Sequence, residues 1–309
     1  MTQSVSPSLT KYAKSSQRAK LWNQVTAYLF LMPALLIFAV FNWNPIVRTV
    51  IYSFQKVGLR GPTGWVGFQN YVRMFGNPVF AIAWLNVFEF VLLSIVFGFM
   101  VPIMLALMIK EMRRFGSIFQ VITYIPTLIP VAVALLVWRM IYYPEGGALN
   151  SILKVVNLPP QLWLQNAKIV KFALILIMTW MGVGSSILIY LAALNEINTE
   201  IYEAAEMDGV SPWQRIYYLT LPLLKSRMAI MLVLQVIFVA QVFTEPFILT
   251  TGGPGNSTVT PVLQIYRTAF ENSDFGLAST WSVSLLVVLG TFSVLYVWLT
   301  RKSDEDRLT

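Results

Sequence analysis

Apolar and polar stretches alternate along this chain in a simple rhythm. Six apolar runs, at 22–43, 84–109, 118–142, 169–191, 228–249 and 277–300, each reach the length a bilayer span needs, about 20 mostly apolar residues. Aromatic side chains mark many of their ends (Trp22, Trp43, Trp84, Trp138, Tyr142 and Trp298), as interfacial anchoring requires. The pattern predicts an all-α polytopic membrane protein. A tail over 1–21 precedes a six-span membrane domain over 22–300, and a short tail over 301–309 follows it. Pro33, Pro102, Pro126, Pro130 and Pro246 fall inside spans or at their ends. They read as kinks in a packed bundle, where neighbouring helices satisfy the freed backbone groups, rather than as gates.

One polar interval stands apart from the others. Residues 203–222, EAAEMDGVSPWQRIYYLTLP, separate the fourth and fifth runs and are dense in helix signals. Asn198 suits an N-cap, and Glu200 and Glu203 place negative charge near the positive end of a helix dipole. Ala204 and Ala205 are strong helix formers with little bulk. Gly209 is a natural stop. Ser211, Pro212 and Gln214 then supply a cap, a first-turn proline and a capping-box partner for a second helix. The expectation is two short helices over about 198–220, meeting near Gly209, with Leu221-Pro222 bending the chain into the fifth span. Small alanines beside exposed acids permit close approach of another surface, and Ile201, Tyr202, Met207 and Trp213 can add apolar contact. The acids would be repelled by an anionic leaflet, so the expected partner is protein rather than lipid.

Composition sharpens this picture. The 309 residues are 57% hydrophobic and 12% charged, against about 45–50% and 25% in a soluble domain. The chain has no cysteine and no histidine, which removes disulfide frameworks and His-based acid–base catalysis from consideration. The N-terminal run is too long for a cleavable signal peptide. A net charge of +8 is in this context a topology signal. Lys11, Lys14, Arg18 and Lys20 cluster before the first span. Arg301, Lys302 and Arg307 follow the last, while Lys110, Arg113 and Arg114 sit in the short second loop. Arg215, Lys225 and Arg227 lie after the fourth span. The expected orientation puts both termini and the 203–222 interval in the cytoplasm.

The spacing of this interval is specific. Glu203-Ala204-Ala205, Gly209, Leu219 and Leu221-Pro222 match EAA-x3-G-x9-I-x-LP, with Leu219 in place of isoleucine, a change that keeps the apolar contact. This pattern resembles that of the membrane subunits of binding-protein-dependent ABC importers. Trp65-Val66-Gly67-Phe68-Gln69-Asn70-Tyr71 resembles the VG-x-x-NY signature of sugar permeases. Trp138-Arg139 with Pro144, Gly147 and Leu149-Asn150, and Thr251-Gly252-Gly253-Pro254 leading to Ile265-Tyr266-Arg267-Thr268-Ala269-Phe270, are similar to two further segments of that family. The chain resembles the first of the two permease subunits in the maltose-type carbohydrate uptake family.

The resemblance implies a type I ABC importer permease fold with a cytoplasmic coupling-helix pair. Glu203, Ala204, Ala205, Asp208, Gly209, Leu219 and Pro222 would dock in a cleft of a separate ATPase. With no G-x4-GK[ST] phosphate loop in the chain, ATP and Mg would be held by that partner, and the chain itself would be no enzyme. The implied assembly is a second permease subunit, two ATPase subunits and an extracytoplasmic solute-binding protein, in a bacterial or archaeal cytoplasmic membrane. Membrane lipid is a partner and nucleic acid is not.

Polar side chains within spans should face the bundle interior or a cavity. Asn86, Glu89, Ser186, Gln241, Thr244 and Glu245 are such positions. By the resemblance, the fourth and fifth spans line the solute path, with Gly182, Ser185, Gln235 and Phe238 near positions used there. Amides, hydroxyls and aromatic faces suit a neutral polyhydroxylated solute, a sugar, oligosaccharide or polyol. The competing reading of the glycines and serines is helix packing. A permease for glycerol-3-phosphate or a related phosphodiester would want more pocket arginine. An ion-coupled secondary transporter would want buried carboxylates and repeated broken helices.

Overall fold

The structure is a computed structural model that describes residues 7–112 and 114–305, with side chains for 22–112 and 114–298. Arg113 and the basic residues named in the two tails lie outside the described side chains. Helix α1 (Pro7–Phe38) passes through a wider π-type turn (Ala39–Trp43) into α2 (Asn44–Ser53). Helix therefore begins well inside the expected tail, and the first apolar helix runs from Trp22 to Ser53, ten residues past its expected end. An antiparallel hairpin of β1 (Gln55–Gly58) and β2 (Gly61–Trp65) follows, then α3 (Gln69–Phe75).

The second span, α4 (Val79–Ser94) and α5 (Val101–Glu111), is joined by a π-type turn over Ile95–Met100. Pro102 lies just after that turn, inside the continuous run Val79–Glu111, and the wider turn takes up the hydrogen bond that its ring nitrogen cannot donate. The third run differs from expectation. Helix α6 (Gly116–Tyr124) tightens into a 3-10 turn at Ile125–Leu128, and α7 (Val131–Ile141) leaves it at 101°. The break falls at Ile129-Pro130: Pro130 has no N–H to give, and it pushes Ile129 to the extended ψ of 129° that a residue before proline prefers. What read as one kinked span over 118–142 is a broken one. Among the described residues, five helices are long and apolar enough to cross a membrane, six if this bent pair counts as one span.

A short α8 (Ala148–Val155) precedes the unbroken fourth span, α9 (Val170–Asn195). Then come α10 (Thr199–Met207), α11 (Pro212–Arg215), a π-type turn (Ile216–Thr220) and α12 (Leu221–Ala240). Here the expected boundaries fail. Pro212 to Ala240 is a single helical run, so Leu221-Pro222 does not bend the chain. Pro222 sits in the first turn of α12, directly after the π-type turn. The helix stops at Ala240 instead of continuing to 249, and a separate π-type turn covers Pro246–Thr250. Helices α13 (Pro261–Tyr266) and α14 (Phe275–Glu305) complete the chain.

Two apolar clusters hold the bundle. One joins Phe90, Leu135, Tyr142, Leu174 and Val239; the other joins Phe99, Ile103, Ile187, Tyr190 and Leu224. Both pack the second span, α9 and α12 around a shared axis. Gly184 makes the contact of α9 with α6 possible: a Cβ there would lie 2.5 Å from the Thr123 carbonyl oxygen and 2.6 Å from the Tyr124 Cα. The apolar window of the first span, by contrast, has no buried residue.

Candidate functional site

The α10–α11 pair is set by local chemistry. The Asn198 side chain accepts a hydrogen bond from the Glu200 N–H at 3.1 Å. At the other end Gly209 adopts φ +72°. Its N–H donates to the Glu206 carbonyl (3.1 Å), and that of Val210 to Ala205 (3.0 Å), closing a left-handed helix stop that glycine alone adopts without strain. The expected capping box is present: Ser211 N–H donates to Gln214 Oε1 (3.0 Å) and Gln214 N–H to Ser211 Oγ (3.4 Å).

The surface this builds is open. Glu203, Ala204, Asp208 and Gly209 are exposed, Leu219 is partly buried and Pro222 is exposed; Ala205 is buried beneath them. Met207 is 89% and Trp213 80% exposed, an apolar pair beside the acids. Sequence reasoning passed over Arg215. Its guanidinium reaches Glu206 at 2.6 Å and Glu111 at 2.8 Å, and lies 5.6 Å from the centre of the Tyr202 ring. One side chain thus ties α10 to the last residue of α5 and to the start of the helical run that continues as α12.

Further along those same helices lies a cavity of about 220 Å³. Gly98 from the second span lines it, with Thr179, Gly182 and Ser186 from α9 and Gln235 and Phe238 from α12. A Cβ on Gly98 would collide with the Gln235 amide, so this glycine gives that amide its space. Nothing approaches within 4 Å of the place a Gly182 Cβ would occupy; that glycine opens on the cavity rather than on a packed helix. Thr179 Oγ1 is buried with no hydrogen-bond partner among the described residues. Among the described residues, no ionised side chain lines the space.

Three of the six path candidates, Gly182, Gln235 and Phe238, meet in this cavity. The other three do not. Ser185 is exposed on a different face of α9, and its neighbour Ser186 takes the lining position, one helical step of about 100° away. Gln241 and Glu245 fall after the end of α12. Gln241 donates back to the Ile237 carbonyl at 3.0 Å, and Glu245 is buried at the entry to the Pro246–Thr250 turn. Asn86 has a structural task, donating to the carbonyls of Asn256 and Val259 at 2.8 Å each. Glu89 pairs with the buried Lys171 of α9. A second, outer hollow of about 390 Å³ is lined by Arg139, Tyr142, Tyr143 and Thr250. Arg267 stands nearby, donating to the Thr251 carbonyl at 2.5 Å.

A bundle of membrane-length helices around a mostly apolar cavity that holds one amide and two hydroxyls, with an exposed helix pair at one end, defines a polytopic membrane permease. The chain belongs to the family described as binding-protein-dependent transport system inner membrane component, whose pattern residues 98–304 match. It is similar to the arabinooligosaccharides transport system permease protein AraP of Bacillus subtilis (strain 168), at 32% identity over 276 residues, 88% of each chain. It is also similar to the lactose transport system permease protein LacF of Rhizobium radiobacter, at 29% identity over 93% of this chain and 98% of that one. Among solved structures it matches a bacterial alginate ABC transporter in complex with an alginate pentasaccharide-bound periplasmic protein. The TM-score is 0.81 at 25% identity, covering 92% of this chain and 96% of the other. The fold is that of an ABC importer permease.

Proposed function

We propose that this chain forms half of the translocation path of an ATP-driven importer for a neutral oligosaccharide or related polyol. The observation that carries the reading is the cavity between Gly98, Thr179, Gly182, Gln235 and Phe238, set on the same helices whose ends Arg215 fastens to α10. A primary amide, hydroxyls and one aromatic face can exchange hydrogen bonds with sugar hydroxyls and stack on a pyranose ring. With no cation in the lining, a phosphate or carboxylate solute would enter uncompensated. That favours a neutral solute over glycerol-3-phosphate. The arabinooligosaccharide and lactose permeases among its relatives support the sugar class and its neutral charge; the alginate transporter, whose polysaccharide is acidic, supports delivery of an oligosaccharide by a periplasmic protein and not the charge of the solute.

In this reading α10 and α11 sit in a cleft of a separate ATPase subunit in the cytoplasm. Glu203 and Asp208 meet its polar rim, and Met207 and Trp213 its apolar floor. ATP and Mg belong to that subunit. Its closure pushes α10, and the Arg215 links pass the displacement to α5 and α12, which bear Gln235 and the approach to Gly98. The path then alternates between two accessible sides. The unburied first span would be covered by lipid or by a second permease chain.

The test is solute-dependent ATP hydrolysis by the purified assembly in bilayer discs, with its binding protein added. Stimulation by neutral oligosaccharides and not by sugar phosphates is expected. Stimulation by glycerol-3-phosphate alone would overturn the solute assignment.

A further inference from the structure

At the end of the bundle away from α10, the hairpin and α3 carry a surface that belongs to neither the cavity nor the α10–α11 pair. One face of α3 packs on the protein: Met74 is buried with Trp281, Asn70 is buried and donates to the Ser53 and Gln55 carbonyls at 3.0 and 2.9 Å, and the half-exposed Arg73 pairs with Asp274 at 2.8 Å. The other face carries apolar groups. Phe68, Val72 and Phe75 are 70, 70 and 62% exposed, and their i, i+4, i+7 spacing sets them on one stripe. Trp65, 65% exposed and stacked on Phe54 at 6.0 Å between ring centres, extends that stripe onto the hairpin, whose turn exposes Leu59 at 79%. Left in water, such a surface costs about 25 cal/mol per Å², so something covers it.

Position and charge identify the cover. Phe68 packs on Phe54, the residue just past α2, with ring centres 5.3 Å apart, and Phe75 on Phe80 in the first turn of α4 at 5.0 Å. Gly276, in the first turn of α14, fits so tightly against Gln55 and Asn70 that a Cβ has no room. The stripe therefore lies level with the ends of three membrane-length helices and continues their exposed apolar surface. This is the depth at which aromatic rings concentrate in membrane proteins. The chain has no Asp or Glu before Glu89. Lys56 and Arg60 on the hairpin are exposed and form no ion pair among the described residues. Unpaired cations on the hairpin that carries the exposed Trp65 match phosphate headgroups above acyl chains.

We propose that the hairpin and α3 form a membrane-surface anchor. Phe68, Val72 and Phe75 enter the boundary of headgroups and acyl chains, about 5–10 Å deep as for other interfacial helices, and Lys56 and Arg60 bind lipid phosphate. This rests on the bilayer placement of the spans and not on the identity of the solute.

The lack of cysteine makes the test direct. Phe68→Cys, Val72→Cys and Phe75→Cys are made singly in the full chain, with Thr63→Cys on the hairpin as reference. Each is labelled with an environment-sensitive fluorophore and placed, with its co-purifying subunits, in discs of phosphatidylcholine with and without phosphatidylglycerol. Lipid brominated high on the acyl chain should quench the α3 labels severalfold more than the Thr63 label. Lys56→Gln with Arg60→Gln should weaken that quenching only in discs containing phosphatidylglycerol. Equal quenching at all four positions, or labels that lipid leaves untouched and added solute-binding protein shields, would overturn the anchor. Should one cysteine variant fail to assemble, the other two α3 positions give the same reading.

Discussion

Arg215 Nη2 lies 2.8 Å from Glu111 Oε1, joining residues 104 positions apart in sequence and closing the gap between α5 and the helical run that becomes α12. The same guanidinium holds Glu206 of α10. Both acids are more than half exposed while the arginine side chain is 13% exposed, so water screens the two carboxylates and the links contribute little to folding.

Replacing Arg215 with alanine should therefore cost about 1 kcal/mol of stability or less while lowering the amount of solute moved per ATP severalfold. Arg215→Lys should recover only part of the loss, since an ammonium cannot fork between two carboxylates. Transport per ATP and thermal unfolding, measured on the same preparations, separate the two effects. An alanine variant with full coupling would show that the link is ornamental.

Gly209 tests the shape of the docking pair. Nothing lies within 4 Å of its absent Cβ, so a substitution acts through φ +72° alone. Gly209→Val forces a β-branched residue into the left-handed region at about 1–2 kcal/mol, whereas Gly209→Asn tolerates it. The valine variant should lose ATPase association and the asparagine variant should keep most of it. Equal behaviour of the two would point to side-chain contact rather than backbone geometry.

Gly98 and Gln235 share one space. Gly98→Ala should displace the Gln235 amide into the cavity and reduce solute-stimulated ATP hydrolysis. Gln235→Ala should relieve that clash, so the double variant should resemble Gln235→Ala alone. This is a coupling that a double-mutant cycle reads directly. Additive losses would place the two residues in separate environments.

The Glu89–Lys171 pair is asymmetric: the lysine side chain is 10% exposed and the glutamate 57%. Glu89→Gln strands a buried ammonium and should cost on the order of 1–3 kcal/mol. Lys171→Met removes the buried charge and should cost less. Thermal unfolding in a mild detergent ranks them, and the reverse order would mean that Lys171 has another partner.

The legible parts of this fold were those written in local chemistry. The apolar runs announced the helices, and Asn198, Gly209 and the Ser211–Gln214 box announced the α10–α11 pair. Prolines misled in both directions. Pro130 breaks the third span because the chain turns where its N–H is missing, whereas Pro222 leaves the run Pro212–Ala240 unbroken because the π-type turn just before it takes up the missing hydrogen bond. The misread fifth span carried Gln241 and Glu245 out of the cavity, and a single helical step separates Ser185 from Ser186. Arg215–Glu111 and Lys171–Glu89 left no trace in sequence spacing, because long-range ion pairs depend on packing alone. Gly98 and Thr179 could have been flagged as a small and a hydroxylated residue in apolar helices, yet such residues are common in membrane packing.

Coupling of α10 and α11 to a separate ATPase is read by co-purification of the tagged full chain from its native membrane, beside a Glu203→Ala, Gly209→Val variant. An ATPase subunit and a second permease that accompany the wild-type chain, with the ATPase lost from the variant, are the predicted result. A chain that purifies without an ATPase and moves solute down an ion gradient would contradict it.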